Sequence, residues 1–448
     1  MRLTLDDVAR VTAGRRTGPT VPPGLEVDGA TMDSRALRPG QLFVALRDER
    51  DGHAFVAAAR SAGAAAVLVD HEVDGLPSVV VADTASALTA LGAHARDRLD
   101  GVVVDGRHAA VIGVTGSVGK TSVKDLIASA TAPSRRTSAS LRSFNNEVGV
   151  PLTLLEAPED TEVAVIEMGA RGRSHVADLC TTARPTIGVV TAVALAHTEV
   201  FGTIEEVARA KAELVESLAA EGTAVLNLGD ERVAAMAART VAGVLTYGID
   251  QGDVRAEGVV LDDHLRPRFR LVSPWGGGEV ALEVRGRHNA ENAAGAAAAA
   301  LAAGADLDGV LEGLAAARLS PWRMELGVTP EGLRVLNDAY NANPTSMAAA
   351  LEALADLDAE HRTAVVGPMA ELGAHAEAEH RRTAELAHRL GIRLLAVDTD
   401  QYGDLAETVE GLEGAIAALG PLGPDDAVLV KASRVAGLER LARRLLEG

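Results

Sequence analysis

The chain has 448 residues, 47% of them hydrophobic, which gives room for roughly two to four domains and is too apolar for a disordered chain. A net charge of −20 argues against nucleic acid or an anionic membrane as a main partner, so any anionic substrate must be gathered by local cations. No apolar run has the length of a membrane span, Met1 to Asp7 lacks the apolar region of a signal peptide, and the single cysteine excludes an internal disulfide framework. These features predict a cytoplasmic protein without membrane insertion, with Cys180 as a small buried apolar residue.

Residue usage is uneven. Only four of the 43 basic residues are lysines, namely Lys120, Lys124, Lys211 and Lys431. Arginine is the general surface cation, so a retained lysine points to a task for a compact charge or a reactive amine. On spacing, Lys124 reads as an ordinary helix-surface residue, whereas Lys120 and Lys211 stand out. Aromatics number ten, and Phe144, Phe201, Trp322 and Tyr340 fall inside the motifs below.

In chain order, residues 1–107 read as a first α/β domain. Gly40 to Leu46 is strand-like, Ala54 to Gly63 helical, Ala65 to Val69 and Ser78 to Val81 strands, and Thr84 to Leu99 a helix capped by Asp83 or Thr84. Asp33-Ser34-Arg35 reads as a polar turn, with a phosphate or carboxylate holder as the alternative.

Residues 108–315 repeat strand, loop and helix around a doubly wound sheet. Within VIGVTGSVGKTSVK (111–124), an apolar strand Val111 to Val114 breaks at a glycine turn. Lys120-Thr121-Ser122 then open a helix running to Ala130. Converging backbone N–H groups and a helix N-terminus make a phosphate cradle, with lysine for the outer phosphates and threonine for magnesium. The general pattern places four residues between its first glycine and the Gly-Lys pair. Gly113 is one residue too far for that and Gly116 two too close, so a flexible turn with a chance lysine is the bland alternative. Val163 to Ile166 delivers Glu167 at a strand end, and Thr186 to Thr191 leads towards His197. Ligands of open α/β sheets gather at strand C-termini, so both point to the edge that carries the glycine turn. There they are candidate partners of divalent ions, although a lone carboxylate or histidine is more often structural. Thr203 and Glu206 make a capping box ahead of a helix bearing Lys211, for which a surface pair with Glu213 is the bland reading. Ala224 to Asn227 is a strand, 251–285 reads as β-rich hairpin filler, and Ala290 to Ala303 is a helix stopped by Gly304.

From about residue 316 a third α/β domain follows. A strand ends at Asn337-Asp338, and the amide-rich loop to Ser346 caps a helix over Met347 to Leu357. Strands over Thr363 to Gly367, Leu394 to Val397 and Ala427 to Lys431 precede a closing basic helix.

Taken together, Asp33-Ser34-Arg35 with Leu42 to Leu46, TGSVGKTS, Phe144 to Thr153, EMGARG, AHTEVFG, ARAKAEL, GRHNAEN, WRMEL, NDAYNANP and GPMAELG resemble the Mur ligases, ATP-dependent amide-forming enzymes of peptidoglycan synthesis. The resemblance covers nearly the whole chain and accounts for the short glycine turn. It implies the three-domain α/β architecture. A small N-terminal domain (1–107) binds the UDP-linked substrate, a central P-loop-type domain with a mostly parallel sheet (108–315) binds ATP, and a C-terminal Rossmann-like domain (316–448) closes on ATP and binds the amine. The implied substrates are ATP, a UDP-linked muramoyl peptide and D-alanyl-D-alanine, joined through an acyl phosphate by a monomer with two magnesium ions. Carried over by motif, Gly116, Ser117, Gly119, Lys120, Thr121, Ser122, Asn289, Arg323, Asp338, Asn341 and Asn343 surround ATP. Ser34, Arg35, Asn145 and Asn146 face the UDP substrate. Thr121, Glu167, His197 and Lys211 hold metal, with Lys211 as a carbamate, which a guanidinium cannot form. Glu371 and His380 are weaker candidates for the amine side. The chain departs from the family's usual Asn and Gly in the stretch Thr191 to Ala196, and from its usual glycine in the loop Arg47 to His53. These departures keep open a paralogue joining another carboxylate and amine. A nucleotide-binding protein without catalysis is disfavoured by the intact Lys120, Glu167, His197 and Lys211.

Overall fold

The computed structural model describes residues 1–18, 24–140, 143–195 and 198–447, so His197 lies outside the described residues. Three sheets organise it. Near the N-terminus, five short strands run in the order Arg15–Thr17, Ser78–Val80, Ala66–Val69, Leu42–Val44 and Ala30–Thr31, parallel except for the first. A nine-stranded sheet follows, in the order Thr137–Ala139, Val163–Glu167, Ala110–Thr115, Ile187–Val190, Thr223–Asn227, Gly243–Ile249, Val254–Leu261, Pro267–Ser273 and Gly276–Ala281. Towards the C-terminus, six strands run Glu325–Val328, Arg334–Asn337, Asp426–Lys431, His361–Val366, Arg393–Val397 and Glu407–Val409.

The middle of the nine-stranded sheet is parallel and covered on both faces, which is why its strands read as unbroken apolar runs. Ile112, Val114, Val165 and Val189 pack on one side with Val123, Leu126 and Ile127 of the helix Lys120–Thr131 and with the alanines of the helix His288–Ala302. Val111, Ile166 and Val190 face the other way, onto the helices Gly149–Glu156, His175–Ala183 and Ile204–Glu216. The register sets Val114 beside Glu167 and Thr115 beside Val190, so the glycine turn, Glu167 and the segment after Val190 leave the sheet at one edge.

The helix Thr84–Asp100, capped by the Asp83 side chain on the Ser86 N–H, joins the first sheet to the second. Its Leu88, Leu91 and Ala95 share an apolar cluster with Val150 and Leu154. Gly92 makes that approach possible, because a Cβ there would lie 2.7 Å from the Pro151 Cα.

Three local expectations change. The 251–285 stretch is no filler. Val254–Leu261 pairs in parallel with Gly243–Ile249, and the two hairpin strands after it extend the same sheet. Val254, Ala256, Phe269, Leu271 and Val280 turn inward from it, onto the alanine-rich helix. The helix expected from Met347 begins at Pro344, because Asn343 and Ser346 close a capping box with proline at the first position. Lys124 is not on the surface. It is 3% exposed beneath the strand Thr137–Ala139, and its Nζ donates to the Ser140 carbonyl (2.8 Å) and pairs with Asp125 (2.8 Å).

Candidate active site

The glycine turn closes as a cradle. Gly116 and Gly119 have φ of 149° and 83°, and Lys120 is the first residue of a twelve-residue helix whose free N–H groups face the turn. Gly116 could carry no side chain, since a Cβ would lie 1.9 Å from Thr191 Oγ1. Thr191, one of the family departures, braces the turn by donating to the Val118 carbonyl, and its own carbonyl accepts from Asn227 Nδ2 (2.9 Å). Ser117 Oγ donates to the Ala194 carbonyl (3.1 Å), and Ser122 is buried within the helix.

On the metal side, Thr121 Oγ1 donates to Glu167 Oε2 (2.7 Å) and Asn145 Nδ2 to Glu167 Oε1 (2.9 Å). Ser140 Oγ accepts the Glu167 backbone N–H at 3.2 Å. The carboxylate is thus 1% exposed, fixed at both oxygens and next to the magnesium-type threonine. Asn145 therefore stands beside Glu167, while Asn146 accepts the Gly149 N–H (2.9 Å) where a helix begins.

Lys211 is the unusual residue. Its side chain is 1% exposed and its Nζ has no hydrogen-bond partner among the described residues. Glu213, its partner in the bland alternative, instead accepts the N–H groups of Ser174 (2.8 Å) and Ala177 (3.1 Å) at the start of the helix His175–Ala183. Burial, with the positive charge of Lys120 adding to it and Glu213 opposing, pushes the Lys211 pKa well below that of an ordinary lysine. Lys120 is also lowered by loss of water, with Glu167 opposing and Arg323 reinforcing the shift. An unprotonated buried amine is the form that adds carbon dioxide, and a carbamate would give this orphaned position acceptors to turn towards a cation. The donor set Thr121, Glu167 and Lys211 carbamate thus fits a hard divalent ion.

The third sheet reaches this edge through aromatic residues. The Arg323 guanidinium lies 4.1 Å from the centre of the Tyr340 ring, and Tyr340 Oη donates to Ser143 Oγ (2.6 Å), which lies 3.4 Å from Thr121 Oγ1. Asp338 accepts from Lys431 Nζ and from the Met324 N–H (3.1 Å), and the same Nζ donates to the Asn341 carbonyl (2.8 Å). Asn289 is buried between the Arg285 carbonyl and Asn292, whose Oδ1 lies over Gly119. Asn343 serves as a helix cap. Near the N-terminus, Ser34 and Arg35 form the predicted turn, with the Arg35 guanidinium forked on Asp33 at 2.8 Å. Both His380 nitrogens are engaged by backbone, one by the Met369 N–H and one by the Ala376 carbonyl. That leaves His380 a structural residue. Glu371, at φ 64°, accepts the Glu199 N–H through its carbonyl. Ser143, Thr191, Asn292 and Lys431 were not expected at the site. Only the rarity of lysine pointed to the last.

An edge that is cationic, buried and flanked by a fixed carboxylate is suited to phosphoryl transfer onto an acid, and it defines an ATP-dependent, ADP-forming ligase. Family models bear this out. The Mur ligase middle domain matches residues 114–300, and the Mur ligase glutamate ligase domain matches 322–434. The chain belongs to the Mur ligase family. A UDP-N-acetylmuramoyl-tripeptide–D-alanyl-D-alanine ligase of Mycobacterium tuberculosis is 39% identical over 93% of this chain and 91% of its own length. Its Escherichia coli counterpart is 34% identical over 99% and 98%. Among solved structures, MurF from Acinetobacter baumannii superposes with a TM-score of 0.87 at 28% identity, covering 100% of this chain and 99% of that one. A further A. baumannii structure, titled as the ligase of D-alanyl-D-alanine to a peptide ending in 2,6-diaminopimelate, gives 0.84 at 28% identity over the same shares. MurF from Thermotoga maritima in complex with ADP gives 0.80 at 25% identity, covering 94% and 97%.

Proposed function

We propose that this chain joins D-alanyl-D-alanine to a UDP-N-acetylmuramoyl-tripeptide ending in a diamino acid, in the cytoplasm and as a monomer, during peptidoglycan precursor synthesis. The terminal carboxylate of the tripeptide attacks the γ-phosphorus of ATP and ADP leaves. The dipeptide amine then attacks the acyl phosphate, and inorganic phosphate leaves as the amide forms. Both steps gather negative charge, so stabilisation is mainly electrostatic and positional. Residues 1–107 take the UDP end, 108–315 hold ATP, and 316–448 complete the nucleotide site and present the amine.

The observation that carries this reading is the buried amine of Lys211, without a hydrogen-bond partner among the described residues and within Coulomb range of Lys120, whose own charge is opposed by Glu167. In the proposed mechanism Lys120 meets the outer phosphates as a point charge. Thr121, Glu167 and carbamylated Lys211 hold magnesium, with His197 as a further ligand. When bound, magnesium neutralises phosphate charge during transfer. Asn145 fixes the Glu167 carboxylate. Arg323 and the loop 338–343 approach from the third domain, so the site is complete only when the domains are closed.

The test is ADP release with magnesium ATP, the UDP-tripeptide and D-alanyl-D-alanine, each omitted in turn. Release that needs all three is the expected result. A folded, ATP-binding protein that releases ADP only with another acid or amine would overturn the substrate assignment and leave the ligase chemistry standing.

A further inference from the structure

A cavity of 540 Å³ opens between the first and central domains, beyond the ATP edge. Its wall comprises Thr89 from the helix Thr84–Asp100, Glu147 ahead of one central helix, and Arg171, Arg173, His175 and Asp178 at the start of another. Two short stretches tie it to the reacting edge. Arg171 lies four residues past Glu167, and Glu147 lies two past Asn145, which bonds Glu167.

The wall is built. The Arg171 backbone N–H donates to His175 Nδ1 at 2.9 Å, which leaves Nε2 as the N–H of the neutral ring, 3.1 Å from Glu147 Oε2. Ser174 takes φ 62°, and Glu213 pins the N–H groups of Ser174 and Ala177. The helix that pins this loop is the one that carries Lys211. Arg173 is held by Glu206 at 2.9 Å. The cavity is therefore lined by one guanidinium not paired in this way among the described residues (Arg171, which the Glu147 carboxylate feels), one taken up by Glu206 (Arg173), and the two carboxylates of Glu147 and Asp178. That pattern fits neither a bare anion nor a bare cation. It matches a group carrying an ammonium and a carboxylate on the same carbon.

We propose that this cavity holds the distal amino-acid centre of the substrate's diamino acid, with its carboxylate on Arg171 and its ammonium on Glu147 and Asp178. The inference rests on the tripeptide reading above. The diamino acid reacts through its main-chain carboxylate, so its side chain must extend away from the γ-phosphate, and the loop after Glu167 leads in that direction. 2,6-Diaminopimelate differs from lysine by a carboxylate on the carbon that bears the distal amine. Arg171 is thus assigned as the residue that tells the two apart.

Two UDP-N-acetylmuramoyl-tripeptides, one ending in 2,6-diaminopimelate and one in L-lysine, test this in ADP-release assays with the full chain. The wild type is expected to favour the diaminopimelate peptide about tenfold in kcat/KM. Arg171→Leu is expected to erase that ratio through KM for the diaminopimelate peptide, and Glu147→Gln to raise KM for both. Turnover of the lysine peptide and an unchanged melting temperature report that each variant is folded. An equal loss on both peptides in Arg171→Leu would place the arginine on a shared part of the substrate and overturn the assignment. A wild type without preference, or a ratio that survives Arg171→Leu, would overturn it as well. Failure of both peptides with the wild type would instead remove the tripeptide reading itself.

Discussion

Three of the four lysines, Lys124, Lys211 and Lys431, are at most 3% exposed, and Lys120 folds back onto the Gly116 carbonyl at 2.8 Å. Arginine covers the surface while lysine is kept where a compact ammonium or a free amine fits between main-chain oxygens. Lys124 and Lys431 are fully engaged, one on Ser140 and Asp125, the other on Asp338 and Asn341. Among the described residues Lys211 is the lysine whose Nζ finds no partner, and an orphan at such depth is costly unless something completes it. Lys211→Ala is therefore expected to lose at least about a hundredfold in ADP release. Short carboxylic acids such as acetate should restore part of it by filling the space of the carbamate. A fully active variant would remove the carbamate assignment. Scarcity in the sequence marked these lysines, but it could not separate Lys124 from a surface residue. Its Nζ is held by Ser140, directly after the short strand Thr137–Ala139, which has no strong pattern of its own.

At the scale of elements, the phosphate cradle was legible because its strand, turn and helix each carry a local signal. Its supports were not, since Thr191, Asn227 and Asn292 come from three other segments and meet the turn only through the sheet order. The same holds for the loop 367–372 and His380, an amine-side candidate on the helix Ala376–Arg389 that bonds to it. Its Nε2 accepts the Met369 N–H at 2.9 Å, so the neutral ring is part of the loop's structure. Burial lowers its pKa below the usual 6.5, against the pull of the Ala376 carbonyl. In the interval between the folded and unfolded pKa values the unfolded chain binds more protons, so stability rises with pH there. His380 thus supports the fold fully above about pH 6.5, and that support fades as the pH falls towards the folded value. Urea unfolding from pH 7.5 to 5 should show this slope. His380→Gln should be less stable by about 1 kcal/mol at pH 7.5 and show a shallower slope. Equal slopes in the two proteins would remove this role.

Across the whole molecule, the succession of three α/β regions was legible, because each follows from apolar runs alternating with helical periods, whereas the strands of 251–285 were not placed in the central sheet. How the third sheet meets the second was not, since that depends on single contacts between segments far apart in sequence. Two polar links converge on the helix Lys120–Thr131. Asp125 accepts the Ser320 N–H at 2.7 Å, and Tyr340 reaches Ser143 beside Thr121. A third contact runs from the Glu199 N–H to the Glu371 carbonyl at 3.3 Å. Leu265 adds an apolar contact, packing with Met324 and Leu336, and a site that must admit ATP and release ADP requires such links to be breakable. The phenol of Tyr340 is the most dispensable link for the fold, because phenylalanine retains the stacking beneath Arg323. Removing one hydrogen bond of about 1 kcal/mol should reduce the closed population roughly fivefold relative to the open one. Tyr340→Phe is therefore expected to lower kcat/KM for ATP about fivefold while leaving the melting temperature within a degree. Ser143→Ala should do the same, and the double variant should be no worse than either single one, because both remove the same bond. Additive losses would mean that each side chain acts on ATP separately, and that domain closure does not depend on their contact.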